Sequence, residues 1–249
     1  MDASALREHP VNGRQWLVWR LLADALATLP LPARVLDCGG GSGSIAVPIA
    51  RTGAHVTVVD ISPDALSTLH RRAEEAGVAA LVRPVQGDVE ALDDLVARAS
   101  VDLGLAHGIL EVVDQPEVAL AAIVRAVRPG GLVSVLVANP AAGVLARALA
   151  GDLTGAIAEL RALDRPGRQL RGVGDVVALC TNTGLLVEQV HGVGVFAELI
   201  PGAVLDARPG GVEALAELEQ AAAQRGPFRD IAGRLHLLCR RAVTPSGPG

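Results

Sequence analysis

The chain has 249 residues, half of them hydrophobic, with a formal net charge of -5 and no lysine, so arginine supplies every fixed cation. That length fits one large domain or one domain with an appended lid, and an acidic chain without a basic block argues against broad binding to a phosphate backbone, leaving at most a local arginine patch. With two Trp, two Phe and no Tyr, the core must be Val, Leu and Ala, and little aromatic surface is left for stacking on bases.

Residues 14 to 29 carry apolar residues at helical spacing, and "PLP" stops them. "RVLDCG" (34 to 39) reads as a short strand ending in glycine. "GSIAVPIARTG" reads as a helix opening at the glycines, with Pro48 weakening its middle and Gly53 as its stop. "HVTVVDIS" (55 to 62) is a second buried strand. Ser62 then caps a helix that has Pro63 in its first turn and runs to Gly77. A third strand lies in "ALVRPVQGDV" before Gly87, and a fourth in "VDLGLAHGIL" (101 to 110). The helix "PEVALAAIVRAVRPGG" is ended by Pro129 and two glycines, and a fifth strand covers 132 to 139.

Beyond that point the rhythm changes. Residues 141 to 170 are rich in Ala, Leu and Arg and read as helical; "GDVVALCTNTG" is another helix and "LLVEQVHGVGVF" a strand. Residues 212 to 224 form a charged amphipathic helix, "RLHLLCRRAV" the last strand, and "TPSGPG" (244 to 249) a disordered tail. Strand and helix alternate at βαβ spacing from 34 to 139, which implies a parallel sheet with helices on both faces.

Cys38, Cys180 and Cys239 are odd in number and far apart, and no C-x-x-C occurs, so neither a zinc knuckle nor a disulfide framework is expected and a reducing cytoplasm is the plain reading. The start, "MDASALREHP", carries no apolar signal region, and the most apolar later stretch is broken by Asn139, Pro140 and Arg147, so no membrane span is expected. His70, His191 and His236 share no metal-ligand spacing, and no metal is expected.

In open α/β sheets a ligand binds at the carboxyl ends of the strands, where strand order reverses. The first strand–turn–helix supplies that place, with Asp37, Gly39, Gly41 and Gly43 alternating. No frame fits the dinucleotide fingerprint G-x-G-x-x-G, and a phosphate-binding P-loop needs a lysine that the chain lacks. An acid at the strand end disfavours a pyrophosphate and favours a cation, so the loop suits a positively charged ligand without phosphate. Asp60, ending the second strand with Ile61 beside it, can accept from both hydroxyls of a ribose. Asp88, between Gly87 and Val89 at the end of the third strand, can accept from an adenine amino group while Val89 packs on the ring. A cationic amino-acid tail, a ribose and an adenine, in strand order, spell S-adenosylmethionine.

"DCGGGSG", "VVDIS", "GDV" and "RPGG" before a strand, taken together over about 34 to 139, resemble a class I S-adenosylmethionine-dependent methyltransferase. The resemblance implies a Rossmann-like, seven-stranded, mostly parallel sheet in three αβα layers with an inserted helical lid. On that pattern 1–249 is a single methyltransferase domain: a cofactor-binding core at about 30–140, the lid at about 141–171, and substrate-side elements at about 172–243. "GRQWLVW", the run from "HGILEVVDQPEV" through "AGDL", "GVGVF", "LAELE" and "GRLHLLCRR" are similar, in order, to the bacterial tRNA 5-carboxymethoxyuridine methyltransferase family. That closer resemblance places cofactor contacts on Arg14, Gly39, Gly40, Asp60, Gly87, Asp88 and His107. It also implies a carboxylate acceptor on a tRNA wobble uridine.

Such an acceptor is ionised at pH 7 and needs no general base, only an arginine fork to hold it; Arg168 and Arg171, at the lid's end, are the candidates. Where that family's lid is lysine-rich and bears aromatics, this one reads "RALDRPGRQLR". Arg14 is placed against the methionine carboxylate of the cofactor and Asp37 against its amino group. His107, ending strand four, is expected beside the cofactor, with a base role as the sharper possibility, and Glu111 is expected as polar lining. Cys38 is expected to be a packing residue. A small-molecule oxygen, nitrogen or carbon acceptor is the first alternative. A non-catalytic cofactor-binding protein of the same fold is the second, and a nicotinamide oxidoreductase the weakest.

Overall fold

A computed structural model describes residues 16–164, 170 and 172–243. The apolar runs become seven strands of one sheet: β1 (Arg34–Cys38), β2 (His55–Asp60), β3 (Val82–Gln86), β4 (Val101–His107), β5 (Val127–Ala138), β6 (Leu185–Val193) and β7 (Arg234–Arg241). Their order is β3-β2-β1-β4-β5-β7-β6. β7 runs antiparallel to both neighbours, and the pairs β1–β2, β2–β3, β1–β4 and β4–β5 are parallel. The chain moves outward from β1 through β2 to β3 and then returns to β4 on β1's other side. This reversal opens a crevice at the carboxyl ends of β1 and β4.

Helices cover both faces. On one face α1 (Trp16–Ala27), α2 (Ala46–Arg51) and α3 (Pro63–Glu75) pack Leu22, Leu26, Ile49 and Leu69 against Val35, Val58 and Leu105. On the other, α4 (Pro116–Ala126) sets Leu120 and Ile123 against Leu36, Ala106 and Val135. After β5 come α5 (Pro140–Leu149) and α6 (Leu153–Leu163), then α7 (Val173–Asn182), the short α8 (Gly202–Asp206) and α9 (Gly211–Ala222). α5 and α6 fall in the stretch read as a lid; Arg147 joins them by bonding Glu159 at 2.6 Å. The tail at 244–249 lies outside the described residues.

Local chemistry explains most of the boundaries. Ser62 caps α3 as its spacing predicts, its hydroxyl accepting from the Ala65 N–H at 3.2 Å, with Pro63 next in line. Pro48 does not weaken α2, because the helix starts at Ala46 rather than at the glycines. Proline is then in the first turn, where helices tolerate it. The helix before β5 ends at Ala126, one turn earlier than "RPGG" suggests. The strand begins at Val127 opposite Val101 and bulges through the proline and glycines before pairing Leu132 with Leu103. Pro129 cannot donate to either a helix or a ladder, so the loop-out absorbs it. β4 stops at His107, where Gly108 takes φ +73° and turns the chain away from the sheet.

One buried acid holds the far end of the fold together. Glu219 on α9 is 2% exposed and accepts three backbone N–H groups, from Val195 at 2.9 Å and from Phe196 and Ala197 at 2.7 Å each. Glu219→Ala strands those donors away from water, and should lower the unfolding free energy in urea by about 3 kcal/mol or more. Glu219→Gln, which keeps one acceptor oxygen, should lose less; equal losses would show that the acceptor geometry is immaterial.

Candidate cofactor and acceptor site

The crevice is built around the loop that follows β1. Gly39 donates to the Val59 carbonyl at 2.8 Å and Gly41 to Asp60 Oδ2 at 2.8 Å, so the loop is strapped to the end of β2. Gly41 has φ +52°, a left-handed conformation that side chains disfavour. A Cβ on Gly40 would lie 2.4 Å from Asp37 Oδ2 and 2.9 Å from Val58, so the backbone passes directly over the acid. Only glycine allows that approach.

Asp37 is 1% exposed, and its Oδ2 has no hydrogen-bond partner among the described residues. Burial, and after it the charge of Asp60, push its carboxyl up to about 7. A buried acid with an empty acceptor position is costly unless something cationic or protic meets it. Asp60 is used differently: Oδ1 accepts the Ser62 N–H at 2.9 Å while Oδ2 takes Gly41. The carboxylate therefore clamps two loops, with one lone pair left on each oxygen for a ligand. Cys38 is fully buried, and burial followed by the Asp37 charge hold its thiol well above its ordinary range, so it packs rather than reacts.

Two cavities open on either side of the loop. The first, about 220 Å³, is lined by Gly39, Asp60, Ile61, Gly87, Asp88 and Val89, and closed by Ile109, Val112 and Val113. Asp88 Oδ1 accepts from the Glu90 N–H at 2.9 Å, which fixes the turn. Gly87 donates to the Asp60 carbonyl at 3.1 Å, and a Cβ there would strike Leu95 at 2.4 Å. One acid thus stands at the end of β2 and another just past β3, beside an apolar wall.

The second cavity, about 360 Å³, is lined by Val18, Trp19 and Leu22 of α1, by Ser44, Ile45, Leu136 and Val193, and by His107, Glu198 and Arg234. His107 Nε2 is 2.8 Å from the Ser134 hydroxyl, which is 2.9 Å from His236 Nε2. His236 Nδ1 lies 3.4 Å from His191 Nδ1, and His191 Nε2 2.8 Å from the Gln224 amide nitrogen. His107 Nδ1 is shielded from solvent and has no partner among the described residues. Burial drives all three imidazoles toward neutrality: His107 to about 3, with the Arg234 cation as second cause, His191 to about 4, and His236 well below its ordinary value.

The structure brings Gly39, Asp60, Ile61, Gly87, Asp88 and Val89 to one cavity, and Asp37, Gly40 and Gly41 to the loop beside it. His107 faces the other cavity. Arg14, Arg168 and Arg171 lie outside the described residues. Glu111 is occupied elsewhere, accepting the Ala138 N–H at the end of β5. The sequence pattern assigns no site role to Ser134, Glu198 or Arg234, and it raises His191 and His236 only as candidate metal ligands. The signal for Ser134 and His236 was a polar residue inside an apolar strand, in "LVSVLV" and "RLHLLC".

Fold and crevice together have the form of a class I S-adenosylmethionine-dependent methyltransferase domain. The orphaned Asp37 oxygen, the side-chain-free Gly40 and the acids of the first cavity fit that cofactor's ammonium, its close backbone approach and its nucleoside hydroxyls. Residues 36–135 match the family described as "Methyltransferase domain". Over 142 residues the chain is 32% identical to the tRNA 5-carboxymethoxyuridine methyltransferase of Escherichia coli (strain K12), covering 56% of this chain and 53% of that protein. It is 31% identical over 170 residues to the ubiquinone biosynthesis O-methyltransferase of Xanthomonas axonopodis pv. citri (strain 306), 66% of each chain. The chain thus spans about half the length of the tRNA-modifying relative. The fold is shared with a geranyl diphosphate C-methyltransferase from Streptomyces coelicolor A3(2), solved with Mg2+, geranyl diphosphate and S-adenosyl-L-homocysteine. That match has TM-score 0.60 and 16% identity over 97% of this chain and 88% of that one.

Proposed function

We propose that the protein methylates an oxygen of an acceptor that enters the second cavity, with S-adenosylmethionine laid along the glycine loop. The cofactor supplies an electrophilic methyl carbon on a sulfonium. In this reading Asp60 takes the ribose and Asp88 the adenine edge, while Asp37 meets the ammonium. The observation that carries it is the second cavity itself, adjoining the glycine loop: an apolar wall of Val18, Trp19, Leu22, Ile45, Leu136 and Val193 faces a polar side made by Ser44, His107, Glu198 and Arg234, which can orient a polar end. Such a lining suits a small molecule with an apolar body and a single hydroxyl to be methylated. Alignment of oxygen and methyl carbon supplies most of the rate, because held reactants lose the entropy cost of encounter.

A second reading follows from the relative named for tRNA 5-carboxymethoxyuridine: a carboxylate acceptor on a tRNA wobble uridine. Arg234 supports it, being a cation in the cavity wall that makes no ion pair among the described residues. The lack of lysine and the scarcity of aromatics weigh against grip on a tRNA. The two separate in one assay, in which labelled S-adenosylmethionine is offered with phenols and catechols, with aliphatic carboxylic acids, or with tRNA bearing unmethylated carboxymethoxyuridine. Label in the phenolic arm is the expected result. Label confined to tRNA moves the acceptor to the wobble carboxylate, and S-adenosylhomocysteine that binds but is never produced in any arm ends the enzymatic reading.

A further inference from the structure

The mechanism above needs only His107 and Arg234 at the acceptor, yet the sheet carries a row of polar groups leading away from it. His107 on β4, Ser134 on β5, His236 on β7 and His191 on β6 lie on neighbouring strands, linked end to end, and the row finishes at the exposed Gln224. Ser134 is fully buried, and His236 and His191 are 1% and 4% exposed, in a layer otherwise filled with Leu and Val. Three buried polar side chains and a half-buried fourth in one face cost stability unless they serve a purpose beyond mutual satisfaction. The one member of the row with an atom unpartnered among the described residues is His107, at Nδ1, and His107 is the member that lines the cavity.

We propose that His107, Ser134, His236 and His191 form a proton conduit that takes the proton of an acceptor hydroxyl at His107 and releases one at the Gln224 end. The inference rests on the oxygen-methylation reading and narrows it to an acceptor that arrives protonated.

Hydrogen bonding allows the row two polarities. In one, the Gln224 N–H donates to His191 Nε2, His191 Nδ1–H to His236 Nδ1, His236 Nε2–H to Ser134, and the Ser134 O–H to His107 Nε2; His107 then carries its proton on Nδ1. In the other, Gln224 turns its carbonyl to accept from His191 Nε2–H, every bond reverses, and His107 Nδ1 is left with a free lone pair. A proton entering at Nδ1 converts the second arrangement into the first, as each member passes its own proton on and His191 Nε2–H gives its proton to water. The acceptor's O–H bond breaks as its O–CH3 bond forms, and the carbon–sulfur bond breaks to leave the neutral thioether. The sulfonium's positive charge leaves as the released proton.

No imidazole becomes a lasting cation, which matters where burial holds all three neutral. Arg234, whose charge acts on His107, would repel an imidazolium but leaves a neutral relay untouched. After product leaves, the cavity is open to water, and the reverse shift resets the row.

The test reads tautomers and turnover separately. Gln224 is exposed, so its replacements leave the core alone. Gln224→Glu can only accept and Gln224→Lys can only donate, when spectra of nitrogen-labelled histidine are taken at about pH 9, where the imidazoles are neutral. The conduit predicts that His107 carries its proton on Nε2 in the Glu variant and on Nδ1 in the Lys variant. Adding Ser134→Ala to either should abolish the difference. The same His107 tautomer in both variants overturns the proposal.

In the kinetic arm, Ser134→Ala should lower kcat for phenolic acceptors about 100-fold, with KM and S-adenosylhomocysteine affinity held within about twofold. Wild-type turnover of carboxylic acids or tRNA alone overturns the conduit even if the tautomers move together. Absence of turnover with every probe, while the tautomers still respond, sinks the methyl-transfer reading and leaves the coupling of the row established.

Discussion

Asp60→Ala should reduce S-adenosylhomocysteine affinity about 100-fold or more, a loss of about 3 kcal/mol in a calorimetric titration. Two losses combine. The ribose hydroxyls of the ligand are left without their acceptor, and the backbone N–H groups of Gly41 and Ser62 lose theirs. The second loss frees the loop just where Gly41 holds a left-handed conformation, so the ligand would have to organise a seat that the wild-type protein keeps ready. Asp60→Asn separates the contributions, because an amide can satisfy one of the two backbone donors but must turn its NH2 toward the other. Its affinity should fall between wild type and the alanine variant. Folding stability should change less than affinity in both variants, since Asp60 is half-buried and both donors reach water when released. Unchanged binding in Asp60→Ala would remove the acid from the site and leave it as a turn clamp.

How much of this was legible in the sequence depended on whether the chemistry was local. The first three strands, the Ser62 cap and the glycine loop are each encoded within a few neighbouring residues, so their reading needed no knowledge of packing. The β5 start was misplaced because "RPGG" reads as a helix stop. The sheet instead tolerates the proline and glycines as a bulge between Val101–Val127 and Leu103–Leu132. The wall of the first cavity was missed for a similar reason: Gly108 ends β4 early, and Ile109, Val112 and Val113 swing over the crevice.

The histidine row was beyond a linear reading altogether. Antiparallel pairing of β5 with β7 sets Leu136 beside His236 and Ser134 beside Leu238, joining groups about a hundred residues apart. Alternation in the strand told which face Ser134 and His236 occupy. It could not tell that the two strands are neighbours.

The opposite behaviour is expected of Asp37, where substitution should strengthen the fold while weakening the site. Its ordinary carboxyl value in an unfolded chain is about 3.9, and in the folded protein it is about 7. Between those values the folded chain holds a proton that the unfolded chain has lost, so stability falls as pH rises through the window from about 4 to 7. Below it Asp37 is neutral in both states; above it the folded protein carries the full cost of a buried charge beside Asp60. Asp37→Asn removes that cost. The variant's Tm relative to wild type should therefore climb between pH 5 and pH 8 in ligand-free protein, by an amount equivalent to a few kcal/mol.

Binding should respond with the other sign. A cationic amino group beside Asp37 favours its ionised form, so wild-type protein should release about half a proton at pH 7 on taking up S-adenosylhomocysteine, more at pH 6 and almost none above pH 8. Calorimetry in buffers of different ionisation enthalpy measures that release directly. Asp37→Asn should bind more weakly and release less at each pH. Equal release from both proteins would mean the proton comes from elsewhere, and the buried acid beneath Gly40 would then be strain in the loop and not a contact for the ligand. A variant more stable at pH 8, weaker in binding and silent in proton release would tie all three effects to one carboxylate, held at the cost of stability because the cation it waits for repays it.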